Sequence, residues 1–139
     1  MKNYCLSVLF ILVLVSPVFG QNLIGIQKDR TEEIVRDKMK GFNLDNSTKN
    51  ESFNYLKFSN SANTKTLIIF FSKENISTHT RMICDFSEYD FVKEDLNSKY
   101  KIITKTSWEF MEGGEKYIIN LEEKEWYFVV TTKKSNRTS

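Results

Sequence analysis

The sequence predicts an α+β fold in which an antiparallel sheet of about six to seven strands carries two helices on one face. Two amphipathic stretches with helical spacing, at residues 30–40 and 89–100, are separated by short apolar or alternating stretches that are typical of strands. The connections are too short for the crossovers that parallel strands require, so an antiparallel sheet is expected. The order, a helix with three strands and then a helix with four, fits a loose α-β-β-β duplication, although chance alternation of elements explains it equally well.

The first twenty residues have the pattern of a secretory signal peptide. Lys2 precedes an apolar run over residues 6–19, which is shorter than the roughly 20 apolar residues of a membrane span. Small residues before the expected cut place cleavage between Gly20 and Gln21. An uncleaved anchor would need a longer apolar segment than this one.

The predicted mature protein is therefore secreted or periplasmic and has no membrane span. Removing the first 20 of 139 residues leaves 119, which suits a single α+β domain over residues 21–139. Residues 133–139 contain no apolar anchor and are expected to form a frayed tail. Without Lys2, 19 basic residues stand against 18 acidic ones, so the net charge predicts binding to neither nucleic acid nor membrane surface.

The first helix is predicted over residues 30–40. Asp29 and Glu32 have the spacing of a capping box, and Gly41 is placed to end the helix. The polar stretch at residues 43–53 predicts a loop. Three strands follow, near residues 55–58, 67–71 and 76–84.

The second helix is marked by an apolar stripe with spacings of three, four and four residues, formed by Tyr89, Val92, Leu96 and Tyr100. Strands are then expected near residues 101–104, 108–111, 116–121 and 126–132. Gly113 and Gly114 lie between two of them and give the strongest hairpin signal in the chain. In the last strand, alternation predicts that Trp126 and Phe128 are buried under the helices and that Tyr127 is partly exposed.

Groups capable of nucleophilic or metal chemistry are scarce. His79 is the only histidine, which excludes triads and metal sites that need two imidazoles. Alternation places His79 with Ser77 and Arg81 on one face of its strand and Cys84 on the other, so a Cys–His couple is not expected. Cys84 is the one cysteine left after signal cleavage, and its apolar neighbours predict burial rather than reactivity. No catalytic residue, cofactor or metal site is predicted.

The candidate binding face consists of Tyr127 with Lys57, His79 and Arg81, if neighbouring strands align them. Aromatic and arginine side chains are enriched at protein interfaces, so such a face suits a partner. We therefore expect an exported, non-enzymatic binding module that holds a protein or other macromolecule through this face or through the loop at 43–53. The alternatives are a small hydrolase or isomerase that uses converging carboxylates, and a carrier with an apolar cavity.

Sequons for N-glycosylation occur at Asn46, Asn50, Asn75 and Asn136, and they would matter if the host is eukaryotic. With its signal peptide, its helix and its antiparallel sheet ending in an aromatic strand, the chain resembles small uncharacterised secreted proteins of Bacteroidetes. The resemblance implies an exported domain and carries no functional residue with it.

Overall fold

The computed structural model of the protein describes residues 22–49 and 52–136. Helix α1 spans Lys28–Lys38 and helix α2 spans Tyr89–Lys99. The described residues also form eight strands: β1 Phe42–Leu44, β2 Tyr55–Asn60, β3 Lys65–Phe71, β4 Ser77–Asp85, β5 Lys101–Thr104, β6 Ser107–Glu112, β7 Glu115–Glu123 and β8 Tyr127–Lys134. No helix in these ranges is long and apolar enough to cross a bilayer.

The strands form one sheet in the order β1-β2-β3-β4-β8-β7-β6-β5, and every neighbouring pair is antiparallel. Each half of the chain contributes a helix followed by four strands, and the halves meet at the β4–β8 pair, where Met82 lies opposite Val130. The α+β class and the antiparallel sheet are confirmed. The described strands number eight rather than six to seven, so four strands instead of three follow α1.

The additional strand, β1, overlaps the start of the stretch for which the sequence predicts a loop. It is only three residues long and pairs with the end of β2, where Leu44 lies opposite Phe58. A 3-10 turn at Asn46–Lys49 follows, and its buried Thr48 accepts a hydrogen bond through Oγ1 from the amide of Lys57. The loop prediction was wrong here because three residues are too few to display strand alternation against a polar background.

Both helices pack on the same side of the sheet. Val35 of α1 and Val92 and Leu96 of α2 are completely buried. They join one core with side chains from β2, β3, β4, β6, β7 and β8: Leu56, Phe58, Leu67, Ile69, Phe71, Met82, Cys84, Trp108, Ile119, Leu121, Phe128 and Val130. The expected stripe of α2 is thus confirmed, with Tyr89 and Tyr100 half-buried at its two ends.

The start of α1 differs from the predicted capping box. Gln27 occupies the N-cap and makes no side-chain cap bond, and Asp29 lies inside the first turn. The amide of Lys28 donates instead to the carbonyl of Asn75, and the buried Thr31 hydroxyl donates to the carbonyl of Lys28 at 2.7 Å. A tertiary contact therefore satisfies a donor at the start of the helix, where the sequence predicts caps from local carboxylates.

The turns and the end of the chain give mixed outcomes. Gly113 and Gly114 have φ values of +58° and +78° in the β6–β7 turn, as the hairpin prediction requires. Trp126 was expected in the core, but it lies in the turn before β8 and is 78% exposed. Strand β8 continues through Lys134, so the first two residues of the expected tail belong to the sheet.

Candidate functional site

The side of the sheet opposite the two helices, here called the open face, carries the predicted binding residues. Lys57 is aligned with Arg81 across Ile68 of β3, and His79 lies two residues from Arg81 on β4. These three residues are neighbours on the open face. Tyr127 lies opposite Asp85, four residues beyond Arg81, which is about 13 Å along the strand. The sheet thus brings together three of the four candidates and leaves Tyr127 at the far end.

Aromatic rings run across the open face beside these residues. The ring centroids of Phe53 and Tyr55 are 5.4 Å apart, and those of Tyr55 and Phe70 are 6.1 Å apart. Phe70 and His79 stack with centroids 4.3 Å apart and planes within 7°. We call this series, Phe53, Tyr55, Phe70 and His79, the aromatic ladder. Sequence reasoning included only His79, because the cross-strand register that aligns the other rings cannot be read from one strand.

Three cations border the aromatic ladder: Lys57, Arg81 and Lys133, here called the open-face cations. Lys133 of β8 lies directly opposite His79. Within the described ranges, none of the three has a carboxylate at ion-pair distance, whereas the neighbouring Lys134 pairs with Glu115 at 3.2 Å. The open face therefore presents three cations without a direct ion pair among the described residues, and the charges of Asp45 and Glu122 act on Lys57 and Arg81 only from a longer distance.

The imidazole of His79 responds to this environment. Partial burial lowers the pKa of His79, and the positive charges of Arg81 and Lys133 lower it further. The ring is consequently neutral at pH 7 and behaves as part of the aromatic ladder. Its Nδ1 lies 3.0 Å from the hydroxyl of Thr78.

Ser77 does not share the open face with His79, contrary to the alternation argument. The register shifts between Phe70 and Phe71, so that His79 pairs with Phe70 while Ser77 pairs with Phe71. This bulge turns Ser77 toward the helices, where its buried hydroxyl donates to the carbonyl of Leu23 and accepts from the amide of Ile26. A bulge of one residue reverses the direction of every side chain beyond it.

A cavity of about 310 Å³ opens on the helix-covered side, between the C-terminal ends of α1 and α2. We call it the interhelical cleft. Its floor is formed by apolar side chains and two hydroxyls from the sheet: Leu67, Thr80, Met82, Phe110, Ile119, Val130 and Thr132. Its rim is formed by Asn22, Met39, Lys99, Tyr100, Met111 and Glu112. Tyr100, at the end of the α2 stripe, is the one cleft residue that a local sequence pattern indicates, because the other residues come together only where the helix ends converge.

The remaining candidates have clear positions. Cys84 is fully buried, and burial raises the pKa of its thiol to about 12. It packs as a small apolar side chain, as expected. Glu112 is the single carboxylate among the described residues that line the interhelical cleft, whereas a carboxylate-pair mechanism needs two. No cluster of His, Cys, Asp and Glu suited to a metal ion occurs among the residues that the structure describes.

Three of the four sequons, at Asn46, Asn75 and Asn136, place their asparagine on the surface. Asn75 adopts a left-handed conformation with φ of 59° in the turn before β4. Asn50 lies outside the described residues, as do Gly20 and Gln21 at the expected cleavage position.

Comparisons of the chain with protein-family models, curated proteins and solved structures found no match. The open face and the interhelical cleft are therefore interpreted from their own geometry.

Proposed function

We propose that this chain is an exported, non-enzymatic binding module that holds an acidic segment of a partner protein on its open face. The observation that carries the proposal is the position of the open-face cations, Lys57, Arg81 and Lys133, beside the aromatic ladder. None of them has a carboxylate at ion-pair distance in the described part of the chain, and Asp45 and Glu122 act on Lys57 and Arg81 only from a longer distance. Asp and Glu side chains of a partner would supply the missing anions.

The composition of the open face suits a protein partner. Arginine and aromatic residues are enriched in the buried centres of protein interfaces, because they combine a large contact area with fixed geometry. The Phe70–His79 stack offers a flat apolar surface next to Arg81, whose guanidinium can hold a carboxylate in two parallel hydrogen bonds. An acidic segment that also carries aromatic or aliphatic side chains would use both features.

Export is the second part of the proposal. It is supported by Lys2, the apolar run at residues 6–19, and the small residues before Gln21. A secreted or periplasmic location would expose the open face to partners outside the cytoplasm.

The test compares two triple variants of the exported protein. In the first, Lys57, Arg81 and Lys133 are replaced by serine. In the matched control, three exposed lysines away from the open face are replaced by serine: Lys38, Lys40 and Lys105. The two variants remove the same charge, so a difference between them reports position rather than net charge.

The probe is an acidic peptide of about ten alternating Glu and Tyr residues, with a Lys-Tyr peptide as its charge-reversed control. We expect the first variant to bind the acidic peptide at least about tenfold more weakly than the native protein, and the control variant to keep most of the affinity. Equal affinity of the two variants, or equal binding of both peptides to the native protein, would contradict the proposal.

A further variant tests whether the peptide-binding surface on the open face extends as far as Tyr127. Replacing Arg81 and Tyr127 together by serine should leave folding intact, since both side chains lie on the open face. A greater loss of binding than Arg81→Ser alone produces would extend the binding surface to Tyr127.

The other predicted surface, the loop at 43–53, is less suitable. Asp45 accepts bonds from the amide and hydroxyl of Ser47, and these bonds hold the pKa of that carboxyl below its usual value. The buried Thr48 is tied to β2. These polar groups stabilise the 3-10 turn itself.

A further inference from the structure

The interhelical cleft lies on the opposite side of the sheet from the proposed partner surface. We propose that it binds a small organic ammonium compound whose body is apolar or aromatic. The inference is independent of the proposed function of the open face.

The floor of the cleft suits an apolar body. Met82 and Val130 lie side by side at the centre of the sheet, and Leu67 pairs with Met82 on the next strand. Phe110 adds an aromatic wall, since its ring centroid lies 5.1 Å from that of Tyr100. A volume of about 310 Å³ is at the lower end of the range for small-molecule sites, so the ligand should be compact.

The rim of the cleft contains one carboxylate and one cation, and Asp95 beside the rim adds a second negative charge. Glu112 accepts a 2.6 Å hydrogen bond from Nδ2 of Asn22, but this amide is neutral and leaves the carboxylate charge uncompensated. Among the described residues, no cation lies at ion-pair distance from Glu112. Lys99 is the one cation of the rim, and it pairs with Asp95 at 2.5 Å. An ammonium group would therefore find an available carboxylate, whereas an anion would find a lysine already paired.

The charges of Asp95 and Glu112 both act on the phenol of Tyr100. Burial raises the pKa of its phenol to about 12, and the charges of Asp95 and Glu112 contribute to that rise, so both carboxylates act on this part of the rim. Oδ2 of Asp95 is also buried without a hydrogen-bond partner within the described residues. Cations are attracted to aromatic faces as well as to carboxylates, and Tyr100 and Phe110 supply such faces.

The methionines make this site easy to observe. Apart from Met1, the chain has three methionines, Met39, Met82 and Met111, and all of them line the cleft. A methyl spectrum of the exported protein labelled at methionine therefore reports on occupation of the cleft, most directly through Met82, which is buried in its floor.

The probes are phenethylamine, 3-phenylpropan-1-ol and 3-phenylpropanoic acid, which share a phenyl group and differ in charge. We expect phenethylamine to shift the methionine signals and to bind about tenfold more tightly than the neutral alcohol. The acid should bind most weakly. Glu112→Gln keeps an acceptor for Asn22 and should reduce the preference for the amine to less than about threefold. Glu125→Gln, an exposed turn position, is the control and should preserve it.

A second variant tests the floor. Thr80 and Thr132 are half-buried partners on β4 and β8, so Thr80→Leu should fill the cleft and abolish binding of all three probes. The proposal is overturned if the acid binds as tightly as the amine, if Glu112→Gln and Glu125→Gln behave alike, or if phenethylamine at about 10 mM leaves the methionine signals unchanged.

Discussion

The indole Nε1 of Trp108 donates a 2.9 Å hydrogen bond to Oδ1 of Asn97, and this bond joins β6 to α2. Trp108 is completely buried, so its N–H has no access to bulk water. A buried donor without an acceptor costs about 1–3 kcal/mol. The bond therefore fixes the position of the helix whose C-terminal end forms one side of the interhelical cleft.

Replacing Asn97 by leucine should lower the free energy of unfolding by about 1–3 kcal/mol, because the indole N–H would lose its acceptor. Asn97→Asp keeps an acceptor and should cost less. Urea denaturation followed by tryptophan fluorescence measures both changes. Ser98→Ala, at the next exposed position of α2, is the control. A loss no larger for Asn97→Leu than for Ser98→Ala would show that the bond contributes little.

The sequence predicts the elements whose pattern is local. The stripe that ends at Leu96 and Tyr100 marks α2 because helical spacing repeats within eleven residues. The Gly113-Gly114 pair marks its hairpin because both positions need a positive φ. Such features depend on neighbours in the chain and can be read without knowing the rest of the fold.

Other features depend on contacts between distant residues and could not be predicted. The bulge that turns Ser77 inward is compensated by hydrogen bonds that its hydroxyl donates to the carbonyl of Leu23 and accepts from the amide of Ile26, more than fifty residues earlier. The aromatic ladder needs the register of β2, β3 and β4, and the interhelical cleft needs the helix ends to converge. The sequence therefore predicts which residues of one strand share a face, but it does not predict which other strands lie beside that strand and complete the site.

The ion pair between Lys65 and Glu88 provides a second test of stability. Lys65 is buried at 7% exposure, and its Nζ lies 3.3 Å from the carboxylate of Glu88. Glu88→Ala leaves a buried ammonium without its carboxylate and should cost about 1–3 kcal/mol, since Glu88 itself is partly exposed. In a Lys65→Met background the same change should cost less than about 0.5 kcal/mol. Urea denaturation of the native protein, the two single variants and the double variant gives the coupling energy between Lys65 and Glu88. An equal loss of unfolding free energy on Glu88→Ala in both backgrounds would show that the ion pair contributes nothing.

Alkaline pH should destabilise the fold through the buried Cys84 and the half-buried Tyr100. Burial raises the pKa of Cys84 and that of Tyr100 to about 12, from the ordinary values of 9.0 and 10.0. The folded state thus holds protons that the unfolded state releases, so the free energy of unfolding should fall as pH rises from 9 toward 12.

Chemical denaturation at a series of pH values measures how steeply the free energy of unfolding falls with pH. Replacing Cys84 by alanine should make this fall less steep. The native thiol should also react slowly with a disulfide reagent at about pH 8 and rapidly after unfolding. Fast reaction of the folded protein would contradict the burial of Cys84.

Through His79, acidic pH should change both the stability of the fold and the binding of the acidic peptide. Because partial burial and the charges of Arg81 and Lys133 lower its pKa, the unfolded state takes up a proton first as pH falls. The His79 contribution to stability is therefore present above the unfolded pKa of 6.5 and is lost as pH falls from there toward the lowered folded value. Protonated His79 would also add a positive charge between Arg81 and Lys133 on the open face.

If the proposed function is correct, the acidic peptide should bind several-fold more tightly at about pH 5.5 than at about pH 7.5. The Glu side chains of the peptide are ionised at both pH values, so the peptide charge does not cause the difference. His79→Gln should remove most of this pH dependence while retaining binding at the higher pH through Lys57, Arg81 and Lys133. Fluorescence anisotropy of the labelled peptide measures both affinities. If His79→Gln keeps the native pH dependence, that dependence belongs to another group. If the native protein binds the peptide more weakly at the lower pH, positive charge on the open face does not have the proposed role.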